Sequence, residues 1–144
     1  MTTRARIIGL VIVAVAALWY LRDPPWVAGV TSGLREWEED PPGTRFRWTA
    51  GHASFFLPSS ATRLTLPLRA AFPSATGAPV VVRIEVDDRW LADIALPRPD
   101  EWSYPTLPLP ARETHRRHRR VDLRVSRTVG MFNLGVQLGE PRLR

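Results

Sequence analysis

VVVRIEVDDRWLADIAL, residues 80–96, decides the fold. Val80, Val82, Ile84 and Val86 occupy alternate positions, with Val81, Arg83 and Glu85 between them. A strand turns successive side chains to opposite faces, so this run presents one apolar face and one largely polar face. Asp87-Asp88 then reads as a hairpin turn, because aspartate suits turn backbone, and Trp90 to Leu96 returns as the second arm.

The same alternation continues on both sides. Arg45-Phe46-Arg47-Trp48-Thr49 alternates polar and aromatic residues, and Ala53 to Leu57 is apolar and closes at Pro58. Leu64, Leu66 and Leu68 alternate with Thr65 and Pro67. Pro67 lacks a backbone N–H, which points to an edge strand or a bulge. Trp102 to Leu109 is extended and punctuated by proline. Val121, Leu123 and Val125 alternate with Asp122, Arg124 and Ser126; Leu134, Val136 and Leu138 alternate with Gly135, Gln137 and Gly139. About eight short strands divided by turn signals make the pattern of an all-β antiparallel sandwich or barrel. Val82, Ile84, Leu123, Val125 and Val136 are its expected core.

The run of Trp102, Tyr104, Leu107-Pro108-Leu109-Pro110, Val121-Asp122-Leu123-Arg124-Val125 and Asn133-Leu134-Gly135-Val136 resembles the closing half of jelly-roll β-sandwiches of the carbohydrate-binding-module type. Similar domains occur appended to bacterial envelope glycosyltransferases and as free-standing exported proteins. The resemblance covers residues 44–144. Such sandwiches often carry an Asp-Arg pair before the final Leu-Gly strand, where this chain has Met131-Phe132-Asn133. The resemblance implies a jelly-roll-like fold and, as a function, sugar binding.

Ahead of the strands, Ile7 to Leu21 reads IIGLVIVAVAALWYL, without a charge. Fifteen residues rise about 22 Å as a helix, and flanking arginines that snorkel toward headgroups extend the span toward the roughly 30 Å hydrocarbon layer. Arg4 and Arg6 precede the run, and Trp19 and Tyr20 close it, where amphipathic rings prefer the interface. These four are the expected membrane-interface anchors. A cleavable signal peptide shares the pattern; the Trp-Tyr end, and alanines inside the run rather than after it, favour an uncleaved signal anchor. Either way the positive end stays in the cytoplasm and the domain is exported. The expected organisation is a transmembrane signal anchor at 1–22, a Pro-rich acidic linker at 23–43 and a β-sandwich domain at 44–144. Within the linker, Leu34 to Asp40 (LREWEED) reads as a short helical turn, stopped by Pro41-Pro42-Gly43.

The chemistry available is narrow. The chain has no cysteine, which excludes disulfides, thiol catalysis and thiolate metal sites. No Gly-x-Ser-x-Gly elbow surrounds a serine, and no phosphate-cradling glycine loop occurs. His115 and His118 lie among arginines, which repel a metal cation. Asp87-Asp88 and Asp100-Glu101 read as turn chemistry rather than a hydrolytic carboxylate pair. No catalytic residue, cofactor or metal is expected.

Two features point to binding. Every basic side chain is arginine, the net charge is +6, and Arg112, Arg116, Arg117, Arg119 and Arg120 crowd one stretch. They form a candidate patch for anionic lipid, acidic glycan or an acidic partner surface, while export argues against nucleic acid. GC-rich codon usage is the competing explanation of the arginines. Trp48, Trp90 and Trp102 fall in expected strands and are candidate glycan-stacking aromatics, with core packing as the competing role. The expected function is a membrane-anchored extracytoplasmic module, not an enzyme, that binds glycan or envelope polymer at the bacterial inner membrane. The alternative is an accessory subunit of a membrane protein complex, whose helix packs beside partner helices through small residues such as Gly9 and Ala14.

Overall fold

Val80–Val86 forms the strand its alternation predicts, flanked on one side by Arg89–Leu96 and on the other by His118–Val125. Asp87 and Asp88 both adopt positive φ, 52° and 64°, as a two-residue hairpin of right-handed twist requires. The computed structural model describes residues 3–41, 43–73, 76–111 and 115–144. In chain order its elements are α1 (Thr3–Arg22), a 3-10 turn (Pro25–Gly29), β1 (Thr31–Asp40), β2 (Thr44–Pro58), β3 (Arg63–Thr65), β4 (Leu68–Arg69), β5 (Val80–Val86), β6 (Arg89–Leu96), β7 (Thr106–Pro108), β8 (His118–Val125), β9 (Gln137–Gly139) and β10 (Arg142–Leu143).

The molecule is all-β and sandwich-like behind its single helix. A large antiparallel sheet runs β4–β9–β2–β8–β5–β6, with β1 also paired to β2; a small sheet runs β10–β3–β7. β2 joins the two halves of the large sheet. Its first half pairs with β9 (Phe46 opposite Gly139) and its second half with β8 (Ala53 opposite Leu123). Both partners lie on the edge opposite β1 and follow one another along it, meeting near Thr49. Fully buried Thr49 stands at this junction: its N–H donates to Val136 O at 2.8 Å, and its Oγ1 accepts from Val136 N–H at 2.9 Å. Gly135 is required there, because a Cβ would stand 2.5 Å from Thr49 Oγ1 and 2.8 Å from Ala50 O.

The core lies where the sheets face each other. Leu64, Leu66 and Leu68 pack with Phe55, Leu57, Val82, Ile84, Val86, Val121, Leu123, Val136 and Leu138. Four of the five expected core residues, Val82, Ile84, Leu123 and Val136, are fully buried, and Val125 is half-buried beside them. Pro67 sits between β3 and β4, where the chain leaves the small sheet for the large one.

The structure corrects several boundaries. Leu34 to Asp40 is strand, not a helical turn: it belongs to β1, opposite β2 from Leu34–Thr49 to Asp40–Thr44. Alternate residues are drawn to β2. Glu39 stands opposite Arg45, and Arg45 and Arg47 place their guanidiniums 5.0 and 5.4 Å from the Trp37 ring. Gly33, at φ 63°, absorbs the register shift after Ser32. The two expected strands at 45–49 and 53–57 are one continuous strand, and Trp102 to Leu109 is ladder only over Thr106–Pro108, with a bridge from Ser103 to Leu68.

Candidate functional site

The outward face of the β2–β8–β5–β6 half-sheet follows from the same alternation that builds the core. With Val82, Ile84, Leu123, Ala53 and Phe55 turned inward, the intervening residues are turned outward: His52 and Ser54 on β2, Arg120, Asp122 and Arg124 on β8, Arg83 and Glu85 on β5, and Asp93 with Trp90 on β6. The register places Asp122 opposite both Ser54 and Glu85, and Trp90 opposite Glu85. Four strands span about 14 Å across.

Trp90 closes one side of this face and is 64% exposed. Its Nε1–H donates to Asp93 Oδ1 at 3.3 Å, and Arg83 grips Asp93 with two parallel bonds, Nε to Oδ1 at 2.9 Å and Nη2 to Oδ2 at 3.1 Å. The indole is thus oriented by a carboxylate that is itself oriented. The hydrogen bonds from Arg83 hold the Asp93 carboxyl below the ordinary carboxylate range, with the Trp90 N–H adding to the effect and desolvation opposing it. Arg83 is raised in turn, mainly by its bond to Asp93.

The row continues inward. Arg124 reaches Glu85 at 3.5 Å. Asp122, almost wholly buried, accepts from Arg120 Nε at 2.8 Å and pairs with His52 Nε2 at 2.9 Å. The bond to Asp122 raises the Arg120 guanidinium, although burial opposes it. His52 and Asp122 have the spacing of a base and its orienting acid, yet among the described residues no serine hydroxyl is hydrogen-bonded to His52. The face is therefore a lattice of fixed planar donors and acceptors beside one bare indole.

The other two candidate tryptophans are occupied. Trp48 stacks on Phe72 at 5.6 Å and 14°, and meets Phe46 edge-on at 6.2 Å. Trp102 lies beneath the Arg69 guanidinium at 4.8 Å, and the same group stands 5.7 Å from Phe46. Arg69 is also bound to Asp40 at 2.8 Å and to Gln137, so the cluster pins the far end of β1 onto β4 and β9. Two small clefts, of about 240 and 210 Å³, lie on this flank near Leu96 and Pro97. Neither reaches Trp90 at the opposite end of β6.

The arginine run is divided by the fold. Arg119 is 5% exposed, with Nε on Asp87 at 2.8 Å and Nη1 on Pro110 O at 2.6 Å. Arg120 is bound to Asp122 and Asp88. These two belong to the ion-pair lattice rather than to an open patch. Arg116 and Arg117 are exposed, and Arg112 lies outside the described residues. α1 is long and apolar enough to cross a membrane, as a signal sequence also is. Arg4, Arg6, Trp19 and Tyr20 are all exposed on it.

The lattice residues Arg83, Glu85, Asp93, Asp122 and His52 were not among the sequence candidates. Their signal was the polar half of each alternating strand, which marks a solvated face and gives no sign of which charges meet.

No protein-family model and no curated protein matches the chain. Among solved structures it is similar to the EclA C-terminal domain, described as a sugar-binding protein, at 14% identity and a TM-score of 0.46, over 63% of this chain and 64% of that one. It is also similar to a family two carbohydrate esterase from Clostridium thermocellum, solved with cellohexaose, at 12% identity and a TM-score of 0.49, over 80% of this chain and 31% of that one. This chain therefore spans less than two thirds of the length of either structure.

Proposed function

We propose that this chain is a non-catalytic binding module, anchored by α1 in a bacterial inner membrane with its domain on the extracytoplasmic side, and that it binds a glycan or another envelope polymer across the Trp90 face. The observation that carries this reading is the exposed indole held in place by Asp93 and Arg83. A sugar ring has an apolar C–H face and an equatorial fringe of hydroxyls. The indole supplies a flat apolar surface for the first, and the neighbouring carboxylates and guanidiniums supply fixed partners for the second. Because the platform is already oriented, little side-chain entropy is lost on binding. Arg4 and Arg6 support the orientation, since basic residues before a span favour the cytoplasm.

The test uses the full chain in detergent or nanodiscs against glycan and polysaccharide arrays. Trp90→Ala is expected to keep the melting temperature and to weaken retention at least tenfold, about 1.4 kcal/mol. A folded parent that retains no sugar would remove the glycan reading. If that parent also co-purified with a membrane protein in fixed ratio, the accessory-subunit reading would replace it.

A further inference from the structure

The arginines that the lattice leaves free stand where the helix enters the domain. α1 ends at Arg22, and the next residue, Asp23, accepts a hydrogen bond through Oδ2 from the backbone N–H of Arg117 at 2.5 Å. Buried Pro24 follows, and then the 3-10 turn Pro25–Gly29, on which Trp26 is 61% exposed. The loop before β8 is therefore fastened to the helix terminus.

Among the described residues, the charge in this loop is only partly paired. Asp87, Asp88 and Asp122 neutralise Arg119 and Arg120, whereas the side chains of Arg116 and Arg117 have no ion pair or hydrogen bond among the described residues. The Asp23 carboxylate stands at the same base, where it accepts from the Arg117 backbone N–H, and so offsets part of this positive charge.

We propose that this base of the domain, Arg116 and Arg117 together with the exposed Trp26 three residues past Asp23, is a docking surface for the anionic phospholipid headgroups of the bilayer that α1 crosses. The inference rests on the anchoring reading above and adds to it that the domain is held down at its base. Lipid is the occupant because the patch is joined to the end of the membrane span by a hydrogen bond one residue away. A contact made by an already tethered domain is intramolecular, so modest Coulombic attraction suffices. Exposed arginines and an exposed indole near the end of a span match the headgroup zone, where amphipathic rings and basic groups gather.

The absence of cysteine permits a single label. Ser59 N–H donates to Arg117 O at 2.8 Å, so Ser60, exposed on the adjoining turn, reports on this loop. The full chain carrying Ser60→Cys with a fluorophore is placed in nanodiscs of phosphatidylcholine, or of phosphatidylcholine with phosphatidylglycerol, each containing a headgroup-labelled quencher. Quenching is expected to be strong only with phosphatidylglycerol and to fall as salt shortens the Debye length. Arg116→Gln with Arg117→Gln is expected to lower the docked-to-free ratio roughly 30-fold at an unchanged melting temperature. Equal quenching in neutral and anionic discs, or an unaltered double variant, would overturn the inference. Alkaline carbonate separates the two failures. A chain it releases from membranes defeats the anchoring reading and this inference together; a chain that stays without lipid-dependent quenching defeats this inference alone.

Discussion

Asp93 carries the pH dependence of the candidate site. Its carboxyl titrates below the ordinary value of 3.8 because ionisation is what allows it to hold Arg83 and the Trp90 N–H. A group whose folded value is depressed contributes stability above its unfolded value and loses it as pH falls through the folded one. The platform is therefore expected to stay oriented from neutrality down to about pH 4 and to loosen only at lower pH. Trp90 fluorescence, isolated as the difference between the parent and Trp90→Phe, should be flat over that range, with its midpoint under 3.8. A midpoint at or above that value would show that Arg83 does not clamp the carboxylate. At this scale the sequence was only partly legible. Three tryptophans in strands looked alike, and what separates them is tertiary: Phe72 covers Trp48, Arg69 covers Trp102, and among the described residues no ring or guanidinium lies over Trp90, which is 64% exposed. The arginine run was equally opaque, since the aspartates that neutralise Arg119 and Arg120 come chiefly from the β5–β6 turn, reachable only once β8 lies beside β5.

Among the elements, strands whose apolar residues recur at period two were legible, because burial of one face enforces that period whatever the neighbours are. β5 and β8 are of this kind. β1 is not. LREWEED offers no alternating apolar set, and it becomes a strand because β2 supplies a ladder and the arginines that meet Trp37 and Glu39. The double pairing of β2 was likewise unreadable, as it depends on two partners, β8 and β9, meeting successive parts of one strand. Gly135 tests that junction, where it approaches Thr49 closely. In Gly135→Ala the added methyl must displace Thr49 Oγ1 and the Ala50 carbonyl, and such overpacking costs about 1–3 kcal/mol. Denaturant unfolding should show this loss as a lower midpoint at constant slope. An unchanged midpoint would mean that the strands do not meet as closely at Thr49 as the structure has them.

For the molecule as a whole, the expected topology is a cytoplasmic N-terminus with residues 44–144 outside. Protease added to spheroplasts should digest the domain and leave a membrane-embedded fragment of α1; full protection would reverse the orientation. The order of assembly follows from β2. Its first partner, β1, is its neighbour in the chain, so that hairpin forms locally and early. Its remaining partners are residues 118–124 and 137–139, so through most of synthesis β2 has one edge unpaired. Closure waits for Gln137–Gly139 to arrive, and until then the nascent domain carries an open strand edge of the kind that recruits neighbouring chains. The interval between the emergence of β2 and that of β9 is thus the period in which this chain is most open to pairing with its neighbours.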